Sequence, residues 1–228
     1  MSTTALLVVA KAPVPGLAKT RLCPPATYAE AAHIAAASLL DTVDAVRRTP
    51  NVRPVVAMVG DLDAAACSTE LRDALRGWTV LGQRGDGFPA RLAAAHADTA
   101  DAHPGLPIMQ IGMDTPQVTP GLLAEACEAL GTADAALGLA GDGGWWAAGF
   151  RSVAHARLLR GIPTSRADTG ERTLAALHAA GLRVATLPIL SDVDTMEDAW
   201  RVADLLPHSR FVASLPSRCD SAGAVDER

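Results

Sequence analysis

The sequence predicts an α/β sandwich built on a largely parallel sheet, and two observations carry that prediction. Short β-rich apolar runs alternate with Ala/Leu-rich amphipathic segments, and the most unusual polar stretches begin where apolar runs end. In open sheets of this class ligands sit beyond the carboxyl ends of the strands, so those stretches are where chemistry is expected.

The strands are expected at 5–10, 54–59, 79–81, 107–111, 135–139, 145–149 and 183–187. Helices are expected at 28–48, 64–76, 88–101, 119–130, 168–180 and 195–206, several opening on a turn or cap residue. From about residue 207 the chain turns polar and loses its period. The expectation is therefore one domain over 1–206 and a loose tail over 207–228. At 228 residues such a domain buries a core without disulfides.

Composition narrows the function classes. A formal charge of −5 gives no general footprint for nucleic acid, so any basic site must be local. Cys23, Cys67, Cys127 and Cys219 are scattered, without metal-ligand spacing or a disulfide framework. No apolar run approaches membrane-spanning length, and the stretch 5–10 is too short for a signal sequence. A reduced, cytoplasmic setting is expected. The six histidines show no ligand spacing, and no Ser-His-Asp or Cys-His set can be proposed.

The loop 10–22, AKAPVPGLAKTRL, holds Lys11 and Lys19, the chain's two lysines among 20 basic residues. Gly16 to Thr20 resembles the end of a Walker A sequence, but Ala18 stands where a glycine is required and Pro13 where the first glycine belongs. Pro13 and Pro15 cannot donate N–H groups to phosphate. A phosphate site here must rest on charge from Lys11, Lys19 and Arg21, and the plainer alternative is a solvated basic loop.

In MQIGMDTPQVTP, Asp114 ends a strand, placed to hold a hard cation or simply to form a turn or cap a helix begun by Pro116. In LPILSDVDTMEDAW, Asp192 and Asp194 alternate and can share one face. Helix capping by Asp194, answered by Glu197, would account for one of them but not for Asp192. Together the three carboxylates would repel, by roughly 4 kcal/mol for a pair about 4 Å apart, unless a cation or a raised pKa relieved them. Mg²⁺ or Mn²⁺ opposite the lysines would form a clamp for a polyphosphate.

GLAGDGGWWAAGF places Asp142 beside Gly143 and Gly144, as an exposed candidate or as a tight turn. One of Trp145 and Trp146 can line a pocket while the other packs inward. In GDGFPARL, Arg91 is a weaker phosphate candidate or an ordinary helix-face residue.

The order K-A-P-V-P-G-x-x-K-T-R-L, G-M-D-T-P, G-D-G-G-W-W, D-V-D-T-x-E-D resembles the bacterial selenodomain-associated transferases. These belong to the nucleotide-diphospho-sugar transferase superfamily of GT-A fold, related to 2-phospholactate or phosphoenolpyruvate guanylyltransferases and molybdenum-cofactor nucleotidyltransferases. The resemblance implies a three-layer, Rossmann-like sandwich with a mixed, mostly parallel sheet. It implies that Lys19 and Arg21 meet the nucleotide phosphates; with the loop's own Lys11 and Gly16 and with Arg91 these make the expected nucleotide site, Lys19, Arg21 and Asp114 being expected in the catalytic role. Asp114, Asp192 and Asp194 would hold the metal, and Asp142, Gly143, Gly144 and Trp145 would face the acceptor. Ser165 and Arg166 stand where relatives shape the acceptor pocket with other residues, so the acceptor does not transfer. The implied activity is metal-dependent transfer from an activated nucleotide to a small acceptor, with no nucleic acid or membrane partner. Nucleotidyl transfer from a triphosphate ranks ahead of glycosyl transfer from a nucleotide-diphosphate sugar and of a non-catalytic nucleotide-binding domain.

Overall fold

The computed structural model describes residues 3–206 and 208–218. Seven strands form one sheet: β1 (Thr4–Lys11), β2 (Val52–Val59), β3 (Thr79–Gly82), β4 (Ile108–Ile111), β5 (Ala135–Ala140), β6 (Trp145–Phe150) and β7 (Val184–Leu190), in the order β3-β2-β1-β4-β6-β5-β7. Only β6 runs against its neighbours, β4 and β5; every other pairing is parallel. The sheet is therefore mixed and mostly parallel, as expected. Seven consecutive positions of β1 are buried, because helices cover both faces of a central parallel strand.

The helices are α1 (Tyr28–Arg48), α2 (Ser68–Ala74), α3 (Phe88–Ala102), α4 (Pro120–Ala129), α5 (Val153–Ala156), α6 (Thr169–Ala179), α7 (Met196–Ala203) and α8 (Arg210–Ala213). Local chemistry sets several starts. Thr27 and Glu30 close a capping box on α1, Thr119 caps α4 just before Pro120, and Thr195 and Asp198 close a second box on α7. One apolar layer, with Leu39, Val43 and Leu123, packs α1, α2 and α4 on one face of the sheet. Another, with Leu92, Leu159 and Leu177, packs α3, α5 and α6 on the opposite face.

Before residue 207, helices α2, α5 and α7 and strand β7 depart from expectation. Helix α2 is Ser68–Ala74 rather than 64–76, and α7 is Met196–Ala203 rather than 195–206. The short α5, continued by a 3-10 turn at Arg157–Gly161, is additional. Strand β7 runs on to Leu190 through Pro188, a residue tolerated because β7 is an edge strand.

The tail expected from residue 207 is corrected for the part described. Phe211 of α8 is fully buried in a third apolar cluster with Leu22, Ile34, Val193, Met196 and Val202. Asp41 of α1 holds it there, accepting from the Phe211 N–H at 2.9 Å and from Arg210. Residues 207 and 219–228, with Cys219, lie outside the described residues. Cys23, Cys67 and Cys127 are free thiols, and no helix among the described residues is long and apolar enough to cross a membrane.

His96 of α3 is fully buried, edge-on to Phe150 at 5.2 Å. Burial lowers its pKa from 6.5 to about 4, with Gln110 opposing the shift. The folded state therefore keeps His96 neutral where the unfolded chain binds a proton, so stability falls as pH drops from 6.5 toward 4 and the loss levels off below that. His96→Leu is expected to flatten the decline in melting temperature over this window, a difference of up to about 3 kcal/mol. A parallel decline in both proteins would refute the assignment. Phe211→Ala should cost roughly 3–5 kcal/mol in denaturant unfolding, as a core truncation does, and a loss below about 1 kcal/mol would show that the segment is not integral.

Candidate active site

A cleft of about 650 Å³ lies across the carboxyl ends of the strands. Its polar centre is built from three loops distant in sequence. The loop after β1 turns back on itself, with Leu17 N–H and Ala18 N–H both donating to the Val14 carbonyl. Those two amides are committed inside the loop, and Lys11, Lys19 and Arg21 give it its charge. Lys11 braces it, its Nζ donating to the Leu17 carbonyl at 2.5 Å.

Lys19 has left-handed backbone angles, φ 47 and ψ 40, a conformation that costs a non-glycine residue roughly 1–2 kcal/mol. That turn aims its ammonium inward. Nζ donates to Asp114 Oδ2 at 2.9 Å and to Asp194 Oδ1 at 2.8 Å, and Arg21 reaches Asp194 Oδ2 at 3.3 Å from the exposed side. Burial works against the charge on Lys19, yet Asp114 and Asp194 more than offset it and its pKa is raised.

Asp114 sits three residues past β4. A Cβ on Gly112 would lie 2.7 Å from Asp114 Oδ1, so the glycine clears the space that this carboxylate occupies. The segment around Thr115 and Pro116 is a turn, and the next helix begins only at Pro120. Asp194 is likewise not a helix cap; Thr195 takes that role with Asp198, leaving Asp194 free to meet Lys19. A bond from Val193 N–H to the Asp114 carbonyl, 3.0 Å, ties the two acidic loops together.

Asp192 is the group without local compensation. Its Oδ1 is buried and has no hydrogen-bond partner. Burial first, then the carboxylates of Asp114, Asp142 and Asp194, push its pKa up to about 8, with Lys19 pulling the other way. In donor type and charge these residues fit a hard divalent cation, since an unpartnered buried carboxylate oxygen among further carboxylates is what such an ion satisfies. Among the described residues no three acidic, histidine or cysteine side chains converge closely enough to chelate one, and Lys19 supplies the positive charge between Asp114 and Asp194.

Across the cleft, Asp142 Oδ1 accepts from Gly144 N–H at 2.8 Å, so this residue both forms the turn and lines the cleft. The hairpin is clamped by the first turn of α6 and the segment before it. A Cβ on Gly143 would fall 1.9 Å from the Ala167 carbonyl oxygen, and Gly170 N–H donates to the Gly143 carbonyl at 2.7 Å. Trp146 packs into the core with Nε1 on the Pro188 carbonyl, while Trp145 is half-buried at the cleft. Ser165, another left-handed residue at φ 60, and Arg166, paired with Asp168, line the same side.

The structure thus brings together Lys11, Lys19, Arg21, Arg91, Asp114, Asp142, Gly144, Trp145, Ser165, Arg166, Asp192 and Asp194 around one cleft. Gly16 and Gly143 do not line it; the first shapes an exposed turn and the second packs against Ala167. Sequence reasoning missed Gln83, Phe88 and Gln110, which also line it. The position of Gln83 just after a strand was the one available signal.

Residues 42–166 match the family described as "Uncharacterized protein conserved in bacteria (DUF2064)". No curated protein matches the chain. Among solved structures, a protein of Desulfovibrio desulfuricans G20, provisionally described as a nucleotide-diphospho-sugar transferase, is 26% identical with a TM-score of 0.81, covering 94% of each chain. Rv0371c of Mycobacterium tuberculosis H37Rv, in its manganese complex, is 20% identical with a TM-score of 0.54, over 90% of this chain and 99% of that one. A CMP:2-keto-3-deoxy-manno-octonic acid synthetase complexed with CTP is 12% identical with a TM-score of 0.55, over 90% and 99% respectively. These neighbours share the fold. The family match spans more than half of the chain and takes in Asp114 and Asp142, while the lysine loop and the Asp192–Asp194 pair lie outside it. The chain belongs to the DUF2064 family.

Proposed function

We propose that this protein is a metal-dependent transferase that moves a nucleotidyl group from a nucleoside triphosphate to a small phosphorylated or hydroxyl acceptor, with release of pyrophosphate. The observation that carries the reading is Asp192, a buried carboxylate oxygen without a partner, among Asp114, Asp142 and Asp194 and facing Lys19 at the carboxyl edge of the sheet. The motif order shared with selenodomain-associated transferases supports it. So does the likeness in fold to a CTP-bound synthetase.

In the reaction an acceptor oxygen attacks the α-phosphorus, the bond to the bridging oxygen breaks, and pyrophosphate leaves; a hydroxyl acceptor gives its proton to solvent. A Mg²⁺ or Mn²⁺ held by Asp114, Asp192 and Asp194 would neutralise charge on the phosphates. Lys19 and Arg21 would move from the carboxylates to the triphosphate, with Lys11 bracing the loop. Asp142, Ser165 and Arg166 would face the acceptor from the opposite wall. Lys19 suits this exchange because an ammonium is a point charge on a flexible stem.

Glycosyl transfer from a nucleotide-diphosphate sugar is the second reading, favoured by the description of the Desulfovibrio protein. A thermal-shift panel of nucleoside triphosphates and nucleotide-diphosphate sugars, each with and without Mg²⁺ or Mn²⁺, separates them. A ligand at 100 times its dissociation constant stabilises by about 2.7 kcal/mol, a shift of a few degrees. A metal-dependent shift with a triphosphate supports nucleotidyl transfer, a shift with sugar nucleotides supports glycosyl transfer, and no shift with either removes the polyphosphate site.

Lys19→Ala is expected to lower turnover by about 10²–10³-fold, and wild-type turnover in that variant would remove the role assigned here. It should also lower the melting temperature without metal, since Asp114 and Asp194 lose their counter-charge, and added Mn²⁺ should restore more of it than in the wild type. Asp192→Asn is expected to raise the metal-free melting temperature while abolishing the metal-induced shift. Because the folded pKa of Asp192 is raised above its unfolded value, the gain should grow as pH rises from 4 to 8 and then level off. A gain independent of pH would show that repulsion at Asp192 is not its source.

A further inference from the structure

Gln83 lies one residue beyond β3 and is held in a way the transfer chemistry does not call for. Its backbone N–H extends the ladder, donating to the Met58 carbonyl at 2.9 Å. Its side chain reaches back over the strand ends, where Nε2 donates to the Ala10 carbonyl of β1 at 2.8 Å and the Ala57 carbonyl of β2 at 2.9 Å. A carboxamide has two N–H protons, and both are committed. The amide orientation is therefore fixed, because the flipped form would set Oε1 against two carbonyl oxygens. No described group donates to Oε1, and Gln83 lines the cleft.

The strand order places this acceptor to one side of the charged centre. Gln83 stands over β3, β2 and β1, whereas Asp114 and Asp192 follow β4 and β7 on the other side of β1. Phe88, the first residue of α3, also lines the cleft with half of its surface exposed, although large apolar side chains are mostly buried in this protein. A fixed acceptor and a half-exposed aromatic ring, lining the same cleft as a polyphosphate-sized charge cluster, have the chemistry to read the edge and cover the face of a heteroaromatic ring.

We propose that Gln83 is the residue that selects the nucleobase: its fixed Oε1 accepts from an exocyclic amino group, with Phe88 covering the ring face, so that amino-bearing bases are taken and uracil or thymine refused. This rests on reading the cleft as a nucleotide site. Uracil and thymine carry oxygens at their exocyclic polar positions and offer only a ring N–H flanked by two carbonyls, so their approach brings oxygen against oxygen. Leaving such an acceptor unpaired corresponds to a preference of about 10- to 100-fold.

The test is equilibrium binding in Mn²⁺ with three pairs that differ at one amino group: CTP and UTP, ATP and ITP, GTP and ITP. Inorganic tripolyphosphate serves as a probe of the charged end. The expected result is at least one pair in which the amino-bearing nucleotide binds 10-fold tighter or more. In Gln83→Met that ratio should fall below about 3-fold while tripolyphosphate affinity is unchanged. Equal binding within all three pairs by the wild-type protein overturns the assignment without recourse to any variant. So does a preference that persists in Gln83→Met. If neither nucleotides nor tripolyphosphate bind, the nucleotide reading of the cleft falls and this proposal with it, an outcome distinct from equal binding.

Discussion

The ammonium of Lys19 between Asp114 and Asp194 is the contact on which the rest of the site depends. It joins segments 95 and 175 residues apart in sequence, and it sits where three loops leave the same edge of the sheet. Each loop alone is ambiguous. The first is a proline-broken basic turn, the second a strand end, the third an approach to a helix. Joined by one cation they become a single polar centre. A half-buried pair of this kind contributes little net stability, because desolvation offsets attraction, but losing one member leaves like charges facing each other. The contact fixes arrangement more than it adds free energy.

That centre holds more negative charge than the protein itself neutralises. Lys19 and Arg21 answer Asp194 and Asp114, while Asp192 keeps a buried oxygen without a partner. Natural cores leave few such atoms, and those that persist mark strain or function. The left-handed backbone at Lys19 and Ser165 points the same way, since both residues line the cleft and neither is a glycine.

Much of this was legible before any coordinates. The periods of α1 and α3 and the unbroken apolar run of β1 depend on burial, which sequence records directly. The convergence of Lys19, Asp114, Asp192 and Asp194 followed from a topological rule about strand ends. Boundaries set by competing local signals were less legible. Pro188 reads as a strand breaker unless β7 is known to be an edge, and four residues of α8 carry too little period to register although Phe211 is buried. Asp194 looked like a cap until Thr195 and Asp198 closed the box beside it. Gln83 had only its place after a strand to mark it: its role is defined by the Ala10 and Ala57 carbonyls, which the parallel pairing of β1 and β2 places side by side.

The third apolar cluster has a consequence in time rather than in space. Leu22, three residues after Lys19, and Val193, between the two aspartates, share that cluster with Phe211. During synthesis the lysine loop emerges before the family-matching middle, and α8 emerges after both. The floor beneath the charged loops closes only when α8 is released. All seven strands precede α8, so the sheet can form before the site is complete, and a ribosome that stalled near residue 206 would leave a chain without the finished centre.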